Sequence, residues 1–198
     1  MKTVQVALLS VAALIASSAA LAQANVRVRG TISEVKGDVL SVKSRDGRNI
    51  QLHLAPDTQV VTAKKTTLAE MGPNAYVGVT SVKGPGGRMV AKEVHSLGPQ
   101  VPAGHIARWD GAPDSSMTNA NIAAAARTSA GNELTLKYKD GEQKVLVTPD
   151  TEIVTFLPGT RADLKAGETI FSGARVEGDG RFMPSRVAVS KDGVKPPQ

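Results

Sequence analysis

Three histidines and one nearby carboxylate are the side chains with the best chance of binding a metal. His53, His95 and His105 form no short His-x-His or His-Glu-x-x-His motif. The chain has no cysteine, which excludes zinc or iron–sulfur sites built on thiolates. His53 lies on the polar side of a predicted strand and is interpreted as solvated. His95, His105 and Asp110 remain metal candidates, because they could converge as nitrogen and oxygen ligands.

The residues that could perform catalysis do not form a recognisable set. No Gly-x-Ser-x-Gly elbow is present, which argues against a serine hydrolase. The segment Gly84–Gly87 is rich in glycine but leads into a strand, whereas a phosphate-binding loop leads into a helix. Asp57 and Asp150 occupy equivalent positions in the two repeats. Each is explained by a turn in which the aspartate side chain accepts hydrogen bonds from backbone N–H groups. We therefore expect a non-catalytic protein without a cofactor.

A repeated segment divides the chain into two similar units. Leu54–Val61 recurs as Val147–Val154, 93 positions later, and both copies carry Pro-Asp-Thr followed by β-branched apolar residues. The hairpin dipeptide Asp46-Gly47 likewise recurs as Asp140-Gly141. The recurrence indicates one structural unit used twice.

Apolar alternation with a period of two predicts strands throughout both units. Thr67 and Glu70 predict one capped helical turn in the first unit, and Leu164–Gly167 is its expected counterpart. Asn121–Ala126 favours a helix by propensity, but its place in the repeat predicts a strand, and we expect the strand. We predict an all-β fold of two tandem small OB-like β-barrel repeats, each with one short helical turn. An open sandwich is the alternative.

The remaining segments give the expected domain organisation. Residues 1–24 have a positive start, an apolar run and small residues at a cleavage site near Ala24, which is typical of a signal peptide. An uncleaved membrane anchor is the alternative for this segment. No later run is apolar enough to span a membrane, so we expect a mature protein in the periplasm or secreted. The expected parts are the first repeat at residues 25–97, a Pro/Gly-rich linker at 98–119, the second repeat at 120–192 and a flexible tail at 193–198.

The linker contains Trp109, the single tryptophan of the chain. Burying an indole contributes a few kcal/mol, which is enough to hold two units together. We expect Trp109 to pack between the repeats, with ligand binding as the alternative.

Positive charge is concentrated in the first repeat. The net charge of the chain is +6, and basic residues outnumber acidic ones in the first repeat but not in the second. A solvated surface is the favoured interpretation, and the alternative is that this face docks an anionic component of the cell envelope or another envelope protein. Export and an aromatic content of 3% argue against nucleic acid. The candidate anion-docking residues are Arg27, Arg29, Lys43, Arg45 and Arg48.

Several of these features resemble a bacterial family of exported β-repeat proteins of unknown function. The resemblance covers nearly the whole mature chain and is carried by Arg29–Ile32, the Asp-Gly hairpins, both Pro-Asp-Thr segments, Trp109-Asp110, Met117–Ala120 and Lys191–Pro197. Similar sequences are often labelled metal transporter permease. A permease needs several membrane spans, so the resemblance implies at most a soluble accessory role in metal handling. It supplies no catalytic residues.

Overall fold

A computed structural model describes residues 25–197 of the chain, which form an all-β protein. The predicted signal peptide at residues 1–24 lies outside the described residues. Thirteen strands within the described range join in one continuous hydrogen-bonded sheet. No helix in this range is long and apolar enough to cross a bilayer.

The sheet closes on itself at both ends and so makes two five-stranded rings. The first ring has the strand order β3-β2-β1-β12-β13, and β13 returns to pair with β3. Its interior is filled by aliphatic side chains, including Leu40, Leu52 and Ile170. The strands are β1 (Asn25–Lys36), β2 (Val39–Ser44), β3 (Asn49–His53), β12 (Thr169–Val176) and β13 (Phe182–Val189).

The second ring is built in the same way from the other five strands. Its order is β6-β5-β8-β9-β10, and β10 returns to pair with β6 in parallel. Leu134, Leu136 and Val145 are fully buried in its core. The strands are β5 (Tyr76–Lys83), β6 (Met89–Ser96), β8 (Ser115–Thr128), β9 (Gly131–Tyr138) and β10 (Gly141–Val147).

Two central strands and one edge strand complete the sheet. β4 (Gln59–Lys65) and β11 (Glu152–Pro158) pair antiparallel and connect the rings. Ala63 pairs with Phe156, its own equivalent 93 residues later, so a pseudo-twofold axis passes between these two residues. β7 (Gly104–Trp109) lies within the predicted linker and pairs with the first half of β8.

The two repeats do not form separate tandem barrels, which differs from the expected arrangement. Each repeat contributes its first three strands to one ring and its last two to the other. The first three are β1–β3 in the first repeat and β8–β10 in the second. β5 and β6 of the first repeat pair with β8 and β10 of the second, while β12 and β13 close on β1 and β3. The exchange is possible because equivalent strands carry the same apolar pattern, so the last two strands of either repeat fit either ring.

The short helical elements follow capping chemistry. Thr67 and Glu70 form the predicted capping box at the start of α1 (Leu68–Met71). The second turn is a 3-10 helix at Arg161–Asp163, three residues before the predicted Leu164–Gly167. It begins earlier because Thr160 and Asp163 form an equivalent capping box.

The predicted linker and tail contain regular structure that the sequence did not indicate. Asn121–Ala126 is part of β8, as its repeat position predicts, but β8 begins at Ser115, inside the predicted linker. The linker further contains strand β7. At the expected flexible tail, Lys191 and Val194 close a turn, and Pro196 and Pro197 are buried.

Candidate functional site

A cleft of about 500 Å³ lies between the two rings, beside the pseudo-twofold axis. Strands of both rings, part of the linker and Pro197 of the tail form its walls. We call it the inter-ring cleft. Its lining residues are Arg27, Arg29, Phe171, Ser172, Gly173, Arg186 and Ala188 of the first ring, His95, Ser96, Met117 and Asn119 of the second ring, Leu97 directly after β6, Phe156 of β11, linker residues 101–106 and Trp109, and Pro197.

The linker is held over the cleft by contacts to the second ring. Tyr76 donates its hydroxyl hydrogen to the Val101 carbonyl at 2.7 Å. The ring of His105 stacks on Tyr138, and its Nδ1 lies 2.9 Å from the Thr118 hydroxyl. β7 adds backbone pairing to β8, so the linker is an ordered wall rather than a loose connector.

Trp109 joins this wall to the first ring. Its indole lies under two guanidinium groups of β1, with Arg27 at 4.3 Å and Arg29 at 5.3 Å from a ring centroid. Cations over an indole face are attracted by its quadrupole. Trp109 therefore packs between the linker wall and the first ring. It also lines the inter-ring cleft, and ligand binding by Trp109 stays a prediction.

Asp110 neutralises part of the positive charge beside the cleft. Its carboxylate accepts a hydrogen bond from Arg29 at 2.8 Å and lies 3.8 Å from the Arg27 guanidinium. Burial alone would raise the pKa of Asp110, but the hydrogen bond and charge of Arg29, with the charge of Arg27, lower it below its ordinary value. The Arg29 side chain is only 5% exposed, and its burial lowers its own pKa despite Asp110.

Arg186 is the cleft cation that sequence reasoning missed. Its guanidinium packs 4.8 Å from the Phe156 ring centroid and pairs with no carboxylate among residues 25–197. Burial lowers the pKa of Arg186 from its ordinary value. A lone arginine in an alternating strand is usually solvated, so the sequence gives only one weak signal: its repeat equivalent is Glu93, of opposite charge.

Three residues of the inter-ring cleft carry a buried hydrogen-bond donor without an acceptor in the described chain. The buried Nε atoms of Arg29 and Arg186 and the Nε1 of Trp109 make no hydrogen bond within the described part of the chain. Leaving a buried donor unpaired costs about 1–3 kcal/mol. The three residues that carry these donors all line the inter-ring cleft, so polar groups that the described chain leaves unpaired are concentrated at its walls.

The other predicted docking residues lie away from the cleft. Arg45 donates to the backbone carbonyls of Asp110 and Gly111. Arg48 pairs with Asp46 at 2.8 Å. Lys43 is exposed on β2. Arg27, Arg29, Arg45 and Arg48 still meet at a second, smaller hollow that Asp46 and Asp110 also line. Of the predicted docking residues, only Arg27 and Arg29 line the inter-ring cleft as well.

The metal candidates do not converge. His95 is buried with its Nδ1 2.7 Å from Glu93, and Asp110 pairs with arginines. His105 lines the cleft but binds Thr118. Within residues 25–197, no three His, Cys, Asp or Glu side chains lie close enough together to hold an ion. The candidate residues His95, His105 and Asp110 are thus not brought together, because each has a different local partner.

No protein-family model, curated protein or solved structure matches this chain. The resemblance to exported β-repeat proteins stays a prediction, and the chemistry of the cleft is inferred from its own residues.

Proposed function

We propose that this protein is an exported, non-catalytic binding protein that captures a small organic anion in the inter-ring cleft. The location follows from the predicted signal peptide, which would deliver the mature chain to the periplasm or outside the cell. The likeness of each five-stranded ring to an OB-like barrel belongs to the same proposal.

The observation that carries the proposal is Arg186. Its cationic group is partly buried against Phe156, with an unpaired Nε and no carboxylate partner in the described chain. A desolvated cation without a counterion is costly unless an anion reaches it. Leu97, Ile106 and Met117 add apolar surface to the same cleft. The ligand class that satisfies both features is an anion with an apolar body.

The proposal is tested with a matched pair of fluorescent probes. 1-Anilinonaphthalene-8-sulfonate carries a sulfonate on an apolar aromatic body, and N-phenyl-1-naphthylamine is the same body without the charge. We expect the sulfonate to bind the mature protein at one site and the neutral probe to bind at least about tenfold more weakly, since charge-assisted hydrogen bonds contribute about 1.5–3 kcal/mol.

Arg186→Gln should remove this preference because it deletes the unpaired cation. Arg181→Gln is the matched control, since Arg181 pairs with Asp179 in a surface turn and does not line the cleft. Equal binding of both probes, or sulfonate binding unchanged by Arg186→Gln, would refute the proposed function.

A further inference from the structure

Two arginines flank a glycine across three neighbouring strands of the first ring. Gly173 of β12 pairs with Arg27 of β1 on one side and with Arg186 of β13 on the other. All three residues line the inter-ring cleft, and we call them the arginine row. Neighbouring strands lie about 4.8 Å apart, so the two arginine side chains flank Gly173, which has no side chain. We call the open surface above Gly173 the strip.

The strip above Gly173 is accessible. A Cβ atom built on this residue would meet no other heavy atom within 4 Å, and its backbone is not in the left-handed region. Gly173 lies in β12 beside a β-bulge between Gly173 and Ala174. Glycine is common at such bulges, although it costs stability within a strand. An open glycine between two cations leaves room for a group that accepts hydrogen bonds from both sides.

The second ring has no such row. The equivalent positions are Met117, Thr80 and Glu93, which pair in the same register. The glycine nearest to them, Gly78, is covered by the ring of His95. The repeats share their core pattern but differ here, so the anion-binding chemistry is confined to the first-ring side of the cleft.

Charge complementarity sets the valence of the head group. Three guanidinium groups line the cleft, on Arg27, Arg29 and Arg186, and one carboxylate, Asp110, contacts two of them. This leaves an excess of two positive charges. A compact dianion would balance them, whereas a carboxylate or sulfonate supplies a single negative charge.

We propose that the arginine row binds the head group of an amphipathic phosphate monoester, with the apolar body of that ligand along Phe156 and the linker wall. A phosphate monoester has three acceptor oxygens and carries close to two negative charges above its second pKa of about 6. This inference rests on the proposed function, because it assigns the ligand class of the same cleft.

The test compares head groups on one alkyl chain. Dodecyl phosphate and dodecanoate, both below their micelle-forming concentrations, compete with the sulfonate probe on the mature protein at pH 8. We expect dodecyl phosphate to bind at least about tenfold more tightly, which corresponds to roughly 1.4 kcal/mol. The affinity for dodecyl phosphate itself should fall at pH 5, where the phosphate carries one charge.

Variants of the arginine row connect this preference to the structure. Gly173→Val fills the strip, and Arg27→Gln removes one flank, so each should abolish the preference for phosphate. Gly178→Val is the matched control, because Gly178 also has open space at its Cβ position but lies outside the cleft. Far-UV circular dichroism and the urea midpoint verify that each variant is folded.

The outcomes separate this inference from the proposed function. Dodecanoate binding as tightly as dodecyl phosphate would overturn the phosphate assignment. A folded Gly173→Val protein that keeps the phosphate preference would overturn the arginine row. In either case, probe binding that still depends on Arg186 would leave the proposed function standing, whereas loss of that dependence would remove both.

Discussion

At the scale of single residues, two glycines of the pseudo-symmetric sheet occupy opposite environments. Gly78 lies against the buried ring of His95, which is held by Glu93. Gly173 faces open space. Both adopt backbone angles open to other residues, so the difference lies in packing alone.

Gly78→Ala should therefore destabilise the protein, whereas Gly173→Ala should not. The methyl group introduced by Gly78→Ala would come within 2.6 Å of His95 Cε1, and overpacking of this kind costs about 1–3 kcal/mol. For Gly173→Ala we expect a change below about 1 kcal/mol. Urea unfolding curves measure both; equal stability of the two variants would contradict the described packing.

The ion pair between Asp110 and Arg29 predicts a pH dependence of stability. The pKa of Asp110 is lowered in the folded protein, so its contribution is present above its ordinary pKa of about 3.9 and is lost as pH falls through the lowered value. Asp110→Asn should reduce the free energy of unfolding at pH 7 by at most about 1 kcal/mol, because the carboxylate is 51% exposed.

The difference in the free energy of unfolding between wild type and Asp110→Asn should narrow as pH is lowered from 4 towards the pKa of Asp110 in the folded protein. Urea midpoints at several pH values measure this difference. Asp114→Asn, in the same loop but without an ion pair in the described chain, is the control. A difference that grows in acid would mean that the pair does not stabilise the folded state.

At the scale of strands, the repeated Pro-Asp-Thr segment acts through its threonine. Thr58 donates its hydroxyl hydrogen to the Pro184 carbonyl at 2.9 Å, and Thr151 makes the equivalent bond to Ala91 at 2.9 Å. Each bond joins one repeat to a strand contributed by the other. The sequence directed attention to the aspartate of this motif, but the buried threonine is the residue that connects the repeats.

Thr58→Val and Thr151→Val should each lower the free energy of unfolding by about 1–2 kcal/mol, because each leaves a buried carbonyl with one bond fewer. The two effects should add, since the threonines share no partner. Thr→Ser at either position keeps the hydroxyl and should recover most of the loss in urea unfolding. A valine variant as stable as wild type would show that the threonine bond contributes nothing.

The strands themselves were largely predictable, and their partners were not. Alternating apolar residues such as Leu40 and Val42 identify the buried face of a strand, and repeat position predicts β8 against its local helix propensity. Pairing is different, because equivalent strands of the two repeats carry the same pattern and either could complete a ring. Arg186 was missed for the same reason: its place in the cleft depends on which repeat its strand joins.

At the scale of the whole molecule, the continuous sheet predicts one cooperative unfolding transition. Each ring contains strands from both repeats, and β4 and β11 join the two rings within one hydrogen-bonded sheet, so we expect the loss of one ring to destabilise the other. Leu52→Ala removes a fully buried side chain of the first ring and should cost about 2–5 kcal/mol. Its equivalent, Val145→Ala, weakens the second ring.

Both variants should shift the whole transition without splitting it. Trp109 fluorescence reports on the junction of the rings, and far-UV circular dichroism reports on the entire sheet, so coincident curves are expected from the two probes. Two separate transitions in Leu52→Ala would mean that the rings unfold independently.

The exchange of strands between the repeats brings equivalent residues of both repeats close to the pseudo-twofold axis. A polypeptide with one repeat and this topology would have to assemble as a homodimer, and every residue near its axis would occur twice, facing its own copy. Covalent fusion lifts that restriction. One repeat can keep Glu93 while the other has Arg186 at the equivalent position. A nearly symmetric fold can therefore contain an asymmetric binding site.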